Sequence, residues 1–177
     1  MILAYGNDIY SIEANEVGSS ANVSEVLTKL FAVQKVVKSP VLTAKHFGLN
    51  LNVMSVNLSH LKENIPFELV LINATIISSK APLVSGLEYD AAIPKLAVSI
   101  ERPKSIQVEF LDAEFEPQIR SFTDQQARWI SNGIDLLAGK TIVKQINQHR
   151  QRSVKTHLKR ISEGKVEANY NLILDGV

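Results

Sequence analysis

Between Thr123 and Gly139 the chain carries a full set of helix signals, and any fold it adopts must accommodate this one element. Thr123 and Gln126 have the spacing of a capping box, in which a hydroxyl and an amide satisfy the first free backbone N–H groups. Ala127, Ile130, Ile134 and Leu137 recur at i, i+3, i+7 and i+10, so they share one apolar face. Gly139 stands where a left-handed C-terminal cap is needed. Gly133 lies inside this helix at a cost of about 1 kcal/mol relative to alanine. Nothing in the neighbouring sequence accounts for it, though the close packing of another backbone would.

The other elements arrange themselves around that helix. Asn22 and Glu25 offer an N-cap and its partner, and Val26, Leu27, Leu30, Phe31 and Val37 then fall on one side of a helix that ends before Ser39-Pro40. Residues 51 to 58 alternate as a strand, and 67 to 72 read as a mostly buried one. Residues 106 to 111 pair with 118 to 122 across the turn Glu114-Phe115-Glu116-Pro117. A last helix, within residues 140 to 165, has Ile142, Ile146, Val154, Leu158 and Ile161 as its apolar stripe. The tail from Ala168 to Val177 is apolar enough to be either an added strand or a partner-binding segment. The expected class is α+β: mainly antiparallel sheet around a central helix, with N-terminal and C-terminal helices, in one domain spanning 1–177. A chain of 177 residues that is 45% hydrophobic can bury one sizeable core and is short for two.

Composition removes several classes. There is no cysteine, so neither a disulfide framework nor a thiolate metal site is available. No apolar run approaches the roughly 18 residues that cross a bilayer, and the start Met1-Ile2-Leu3-Ala4-Tyr5-Gly6 lacks a basic region followed by an apolar one, so a cytoplasmic protein is expected. Net charge is +1, yet from Lys140 to Lys165 the only acid is Glu163. No aromatic residue interleaves with these charges, so nucleic acid is disfavoured. The basic residues are expected on a solvated face, where Lys144, Arg152, Lys155 and Lys159 could meet an acidic protein partner.

The central helix also has the frame of a metallohydrolase motif. A hydrolase of the H-E-x-x-H type needs two imidazoles at i and i+4 on one face, with a glutamate beside the first as general acid/base. Those places hold Asn132, Gly133 and Leu136. Four further segments extend the pattern: Pro40 to Gly48, Leu71 to Ser79, Leu87-Glu88-Tyr89-Asp90-Ala91-Ala92-Ile93-Pro94, and Glu101 to Asp112. In order and spacing, over roughly residues 1 to 165, the chain resembles the peptide deformylases. Their motifs read G-x-G-L-A-A-x-Q, E-G-C-L-S-x-P and Q-H-E-x-D-H-L-x-G.

The resemblance implies the deformylase fold and places His46 at the glutamine that helps polarise the substrate carbonyl. It places Asp90 at the cysteine that is the third metal ligand. With the ligands and the acid/base replaced together, the expectation is a vestigial pocket of His46, Asp90, Asn132, Gly133 and Leu136, with no cofactor, no metal and no catalytic residue. His46, Asp90 and Asn132 could form a weak metal site with one imidazole, which suits zinc poorly. The simpler reading is ordinary polar contacts. Ser131 has no visible base to make it a nucleophile, Trp129 reads as packing, and Asp135 is expected to hold the basic helix near Lys140 or Lys144. Asn132→Ala is expected to cost little if the residue is only partly buried.

Over its whole length the chain also resembles the distal baseplate-hub proteins of T-even-type contractile-tail phages. That likeness implies a non-catalytic structural role in virion assembly, with hub proteins as partners, in the host cytoplasm and then the virion tail. Tyr170, Leu172 and Leu174 of the tail would join the basic face as partner-binding candidates. The competing expectation is a divergent hydrolase or a peptide-terminus-binding protein that uses the same cleft.

Overall fold

The computed structural model describes residues 1–18 and 23–174. Strands β1 (Ile2–Leu3), β2 (Val41–Thr43), β3 (Val53–Asn57), β4 (Glu68–Tyr89), β5 (Ala97–Leu111), β6 (Pro117–Thr123) and β7 (Leu172–Ile173) alternate with helices α1 (Ser24–Val37), α2 (Asp124–Leu137) and α3 (Gln148–Ser162). Strands β2 to β6 form one antiparallel sheet in sequence order, and β1 pairs with β7 in a small parallel one. The α+β architecture is the one expected.

Strand β3 shows how the layers form. Met54 and Val56 pack into the core under α2, whereas Val53 joins the cluster under α1 and Ser55 Oγ donates to Gln34 of α1 at 2.8 Å. Alternate side chains point to opposite faces, and both faces are covered, so all five residues of the strand are buried. In α1, Val26, Leu30 and Val37 are buried, and Leu27 and Phe31 pack against the same cluster. The proposed cap Asn22 lies outside the described residues. Val23 precedes the helix and supplies no side-chain cap, while Lys38 closes it with φ 55° and its N–H on Gln34 O.

Four expectations about elements need correction. Strand β4 runs far beyond residue 72, and its middle escapes a reading by pattern because it is exposed and carries no alternating apolar signal. It is held instead by pairing with β5, with register shifts between Ile72 and Thr75, Ile76 and Ser78, and Lys80 and Leu83. The capping box of α2 does not form: Thr123 stays the last residue of β6, paired with Ser105, and Asp124 enters the helix at φ 52°. The final helix is divided, since Ile146 and Asn147 are extended between a 3₁₀ turn at Ile142–Gln145 and α3. Asn147 caps α3 by accepting from Arg150 N–H. Finally, Gly133 faces side chains of β2 and β3 rather than a backbone.

The β5–β6 hairpin pairs Ile106 with Phe122 and Leu111 with Pro117, as expected. Gly139 adopts φ 75°, also as expected. A Cβ there would lie 2.8 and 2.9 Å from the carbonyls of Ser11 and Ile12, so close approach requires glycine as well. Of the tail, Leu172 and Ile173 form the added strand, with Ile2 N–H donating to Asn171 O and Ala4 N–H to Ile173 O, and Asp175 to Val177 lie outside the described residues. Among the described residues no helix is long and apolar enough to cross a membrane.

A buried lysine closes the end of α2. Lys45 Nζ donates to the carbonyls of Leu136 (3.0 Å), Leu137 (2.9 Å) and Ile12. Burial pulls its ammonium from the ordinary 10.5 down to about 8, with Glu13 opposing and Lys144 adding to the fall. Between those two values the unfolded chain holds a proton that the folded chain has released, so this group's contribution to stability rises with pH across that window. Tyr10 and Tyr170 oppose it only above their ordinary 10.0, because burial keeps their phenols protonated beyond it. The melting temperature should therefore rise relative to Lys45→Met between about pH 8 and pH 9.5. Parallel melting curves for the two proteins would refute this account of Lys45.

Candidate functional site

The turn between β4 and β5 brings Asp90 to His46. His46 sits in the 3₁₀ turn Ala44–Phe47 that follows β2, and its Nδ1 accepts the Thr43 N–H at 3.0 Å. A backbone N–H can only donate, so the ring proton lies on Nε2, which donates to Asp90 Oδ1 at 3.1 Å. Ala92 N–H donates to the same oxygen at 2.7 Å. Oδ2 has no hydrogen-bond partner among the described residues.

Asp90 borders a cleft of about 350 Å³ with Val37, Ser39, Tyr89, Ala91, Ile93, Pro94, Lys95, Leu96, Ala97 and Tyr170. The tail contributes Tyr170, whose hydroxyl donates to Ala91 O at 2.8 Å. Burial and then the Asp90 charge push its phenol up to about 12. Tyr10, edge-on to the His46 ring at 5.9 Å, is raised by burial, by Asp90 and by Tyr170. The negative charge of Asp90 is therefore felt across the site.

Asn132 is turned away from this pair. Its Nδ2 donates to Glu88 Oε2 at 2.9 Å, and the residue is 2% exposed, so it is a buried hydrogen-bonding node rather than the partly buried residue expected. Glu88 also accepts from Arg102 Nε and Nη2 at 2.9 and 2.8 Å and from Arg128 Nη1 at 3.0 Å. Arg102 Nη1 reaches Asp135. Burial opposes the Arg102 charge, but hydrogen bonds and charge from Glu88 and then Asp135 outweigh it and raise its pKa. The Asp135 side chain thus holds β5 rather than the side chain of Lys140 or Lys144, and Lys140 is met only through the backbone, where its N–H donates to Asp135 O at 2.7 Å.

The network of Glu88, Arg102 and Arg128 carries no role in the sequence reading. The available signal was Arg102 in register with Val98 and Ile100 on a core-facing side of β5, and Arg128 at i−4 from Asn132.

The remaining motif positions are filled by packing. A Cβ on Gly133 would stand 2.4 Å from Met54 Sδ and 2.9 Å from Val41 Cγ2. Leu136 is buried among Ile142, Val143 and Ile146. Trp129 is core, edge-on to Tyr89 at 5.0 Å, and Ser131 Oγ is buried without a partner among the described residues. His46 and Asp90 therefore meet, and Asn132 and Leu136 do not join them. Among the described residues no three His, Cys, Asp or Glu side chains converge. Asp90, Asn132 and Leu136 do not fit the metal of the family motif, since one is an engaged amide and one a hydrocarbon.

The surface candidates are placed as follows. Lys144 Nζ donates to Gly139 O, while Arg152, Lys155 and Lys159 are exposed along α3, with Lys159 near Glu163 at 3.7 Å. Tyr170 borders the cleft, Leu172 lies in β7, and Leu174 packs over Gly164.

The pattern of the Polypeptide deformylase family matches residues 1–152. A peptide deformylase of Chlorobaculum tepidum is 26% identical over 176 residues, 98% of this chain and 94% of that protein. One from Prosthecochloris aestuarii is 30% identical over 132 residues, 73% of this chain and 69% of that protein. Among solved structures, a Plasmodium falciparum peptide deformylase superposes with TM-score 0.83 at 20% identity, covering 93% of this chain and 96% of that one. Peptide deformylase 1B of Arabidopsis thaliana gives 0.82 at 21% identity, covering 92% and 90%.

These findings overturn the expectation of a non-catalytic phage assembly protein. The relatives are peptide deformylases, which are enzymes, and none of those named here is a baseplate protein. The expectation of an inactive pseudoenzyme rested on a few ligand positions. Their replacement tells which chemistry the helix cannot supply, and it does not remove the chain from an enzyme family.

Proposed function

Because the chain belongs to the polypeptide deformylase family, we propose that it is an enzyme that hydrolyses the N-formyl group at the amino-terminal end of a peptide held in the cleft beside Asp90. The observation that carries this reading is the family match over residues 1–152 together with a carboxylate, at the second motif's cysteine place, that borders a cleft. Val37, Ala91, Ile93, Pro94 and Leu96 give the cleft apolar walls for a first side chain such as methionine. His46 and Ala92 hold Asp90 Oδ1, which leaves Oδ2 to take a proton from water. The water oxygen bonds to the formyl carbon, the C–N bond breaks, the amine takes the proton, and formate leaves. No step runs through a metal, since Asn132 and Leu136 cannot hold one.

Formate release from formyl-Met-Ala-Ser tests the proposal. The purified protein should release formate at a rate that chelation leaves unchanged, and Asp90→Ala should lower the rate about 100-fold or more, the usual contribution of a general base. Release no faster than in buffer, or an unchanged rate in Asp90→Ala, would overturn it.

A further inference from the structure

We propose that strand β6 is a self-association edge: two copies of the chain pair antiparallel through β6, about a two-fold axis at Ile119, and join their sheets into one. The edge shares no residue with the cleft beside Asp90, and its use does not depend on the proposed function.

Strand β6 (Pro117–Thr123) ends the five-stranded sheet, with β5 on one side only. Its register with β5 continues into the turn, where Asp112 N–H donates to Glu116 O. Directly bonded pairs alternate with unbonded ones in an antiparallel ladder. Gln118, Arg120 and Phe122 therefore turn their backbone groups to β5, and Pro117, Ile119, Ser121 and Thr123 turn theirs outward. Pro117 fits this parity, since the N–H it lacks is one that β5 does not use. No backbone bond from another element meets the outward groups of Ile119 and Ser121 among the described residues.

A free edge is usually guarded by proline within the strand or by a charge that an incoming strand would have to cover. Here the proline stands only at the first position, and the one charged residue is Arg120, which lies over the Phe110 ring at 5.9 Å. Such a charge refuses any neighbour that cannot match it. A second copy can match it. With the axis at Ile119, each Arg120 stands opposite Gln118 of the other copy and diagonal to its Glu116, which is exposed. Ile119, 60% exposed, then meets its own copy across the axis. The backbone closes Ile119 N–H on Ile119 O in both directions and each Ser121 N–H on Pro117 O. Moving the axis one residue on, to Arg120, would set the two guanidinium groups against each other, so charge selects the register. The contact is isologous, as a closed dimer requires. One strand from each copy covers less than the roughly 1,200 Å² of stable complexes, so the association is reversible and forms at high concentration.

Sedimentation velocity of the full chain from about 10 µM to about 1 mM should show the mass rising from that of one chain toward that of two. Arg120→Glu should weaken the association about tenfold or more, and adding Glu116→Arg should restore it, a rescue that a merely disturbed fold would not give. Ser121→Pro removes an outward N–H that β5 does not use and should also weaken association about tenfold or more, with circular dichroism reporting that the fold is kept. The chain has no cysteine, so Ile119→Cys puts a single thiol from each copy at the axis. On oxidation with diamide it should form linked dimers about tenfold faster or more than Lys155→Cys, whose position is exposed on α3. A single-chain mass throughout the range, no rescue by the double charge exchange, or equal linkage of the two cysteine variants would overturn the proposal. If Ser121→Pro unfolds, the charge exchange and the cysteine variants decide. If it stays folded and associates as the parent does, β6 is not the contact.

Discussion

Replacing Glu88 by alanine is expected to cost about 3–5 kcal/mol, the usual penalty for removing one partner of a buried ion pair. The Glu88 side chain is fully buried, and it is the acceptor shared by Arg102, Arg128 and Asn132. Without it, Arg102 retains Asp135, but Arg128 is left with only the carbonyls of Val84, Gly86 and Ile100. An uncompensated guanidinium under α2 is the main source of the loss. Arg128→Met should therefore recover part of the stability of the Glu88→Ala protein, whereas alone it should be destabilising. Urea unfolding of the two single variants and the double variant measures the coupling. A loss under about 1 kcal/mol in Glu88→Ala, or additive effects in the double variant, would show that water reaches the network and replaces the carboxylate.

Gly133→Glu, which restores the family's acid/base residue, is expected to destabilise by about 3 kcal/mol or more. Two effects add: overpacking of roughly 1–3 kcal/mol and burial of a carboxylate without a cation to pair with it. The gain in helix propensity, about 1 kcal/mol at most, does not compensate. Helix α2 lies so close to β2 and β3 that a Cβ at this position would stand 2.4 Å from Met54 Sδ and 2.9 Å from Val41 Cγ2. Gly133→Ala isolates the steric part and should cost less. Combined with Met54→Ala, which alone opens a cavity, it should cost less than the sum of the two single changes. Thermal unfolding that leaves Gly133→Glu as stable as the parent would mean that α2 can move off the sheet. The acid/base position has thus become part of the core, and a glutamate cannot return there by itself.

The largest correction concerns function. The replaced residues Asp90, Asn132, Gly133 and Leu136 suggested an inert scaffold, yet the chain belongs to an enzyme family over residues 1–152. A motif position describes one chemical group, and the sequence shows that group's identity without showing what surrounds it. The deformylase resemblance led to the correct fold. It could not show that Asp90 would meet His46 beside a cleft, or that Asn132 would be spent on Glu88.

What the sequence determined by itself are the elements whose signals are local. The apolar repeat Ala127, Ile130 and Leu137 and the left-handed Gly139 define α2, and the apolar runs on either side of one turn define the β5–β6 pairing. Each depends on residues a few positions apart and on a burial period that one face of an element imposes. Tertiary structure alone decided the rest. The exposed middle of β4 is held by its partner strand, Asn147 begins the last helix at its N-cap, and Leu172 and Ile173 become a strand only because Ile2 and Leu3 are there to pair with them. The pairs His46–Asp90 and Asn132–Glu88 each join residues 44 positions apart. Such contacts depend on where the β4–β5 turn and α2 come to rest in three dimensions, and no local pattern encodes that position.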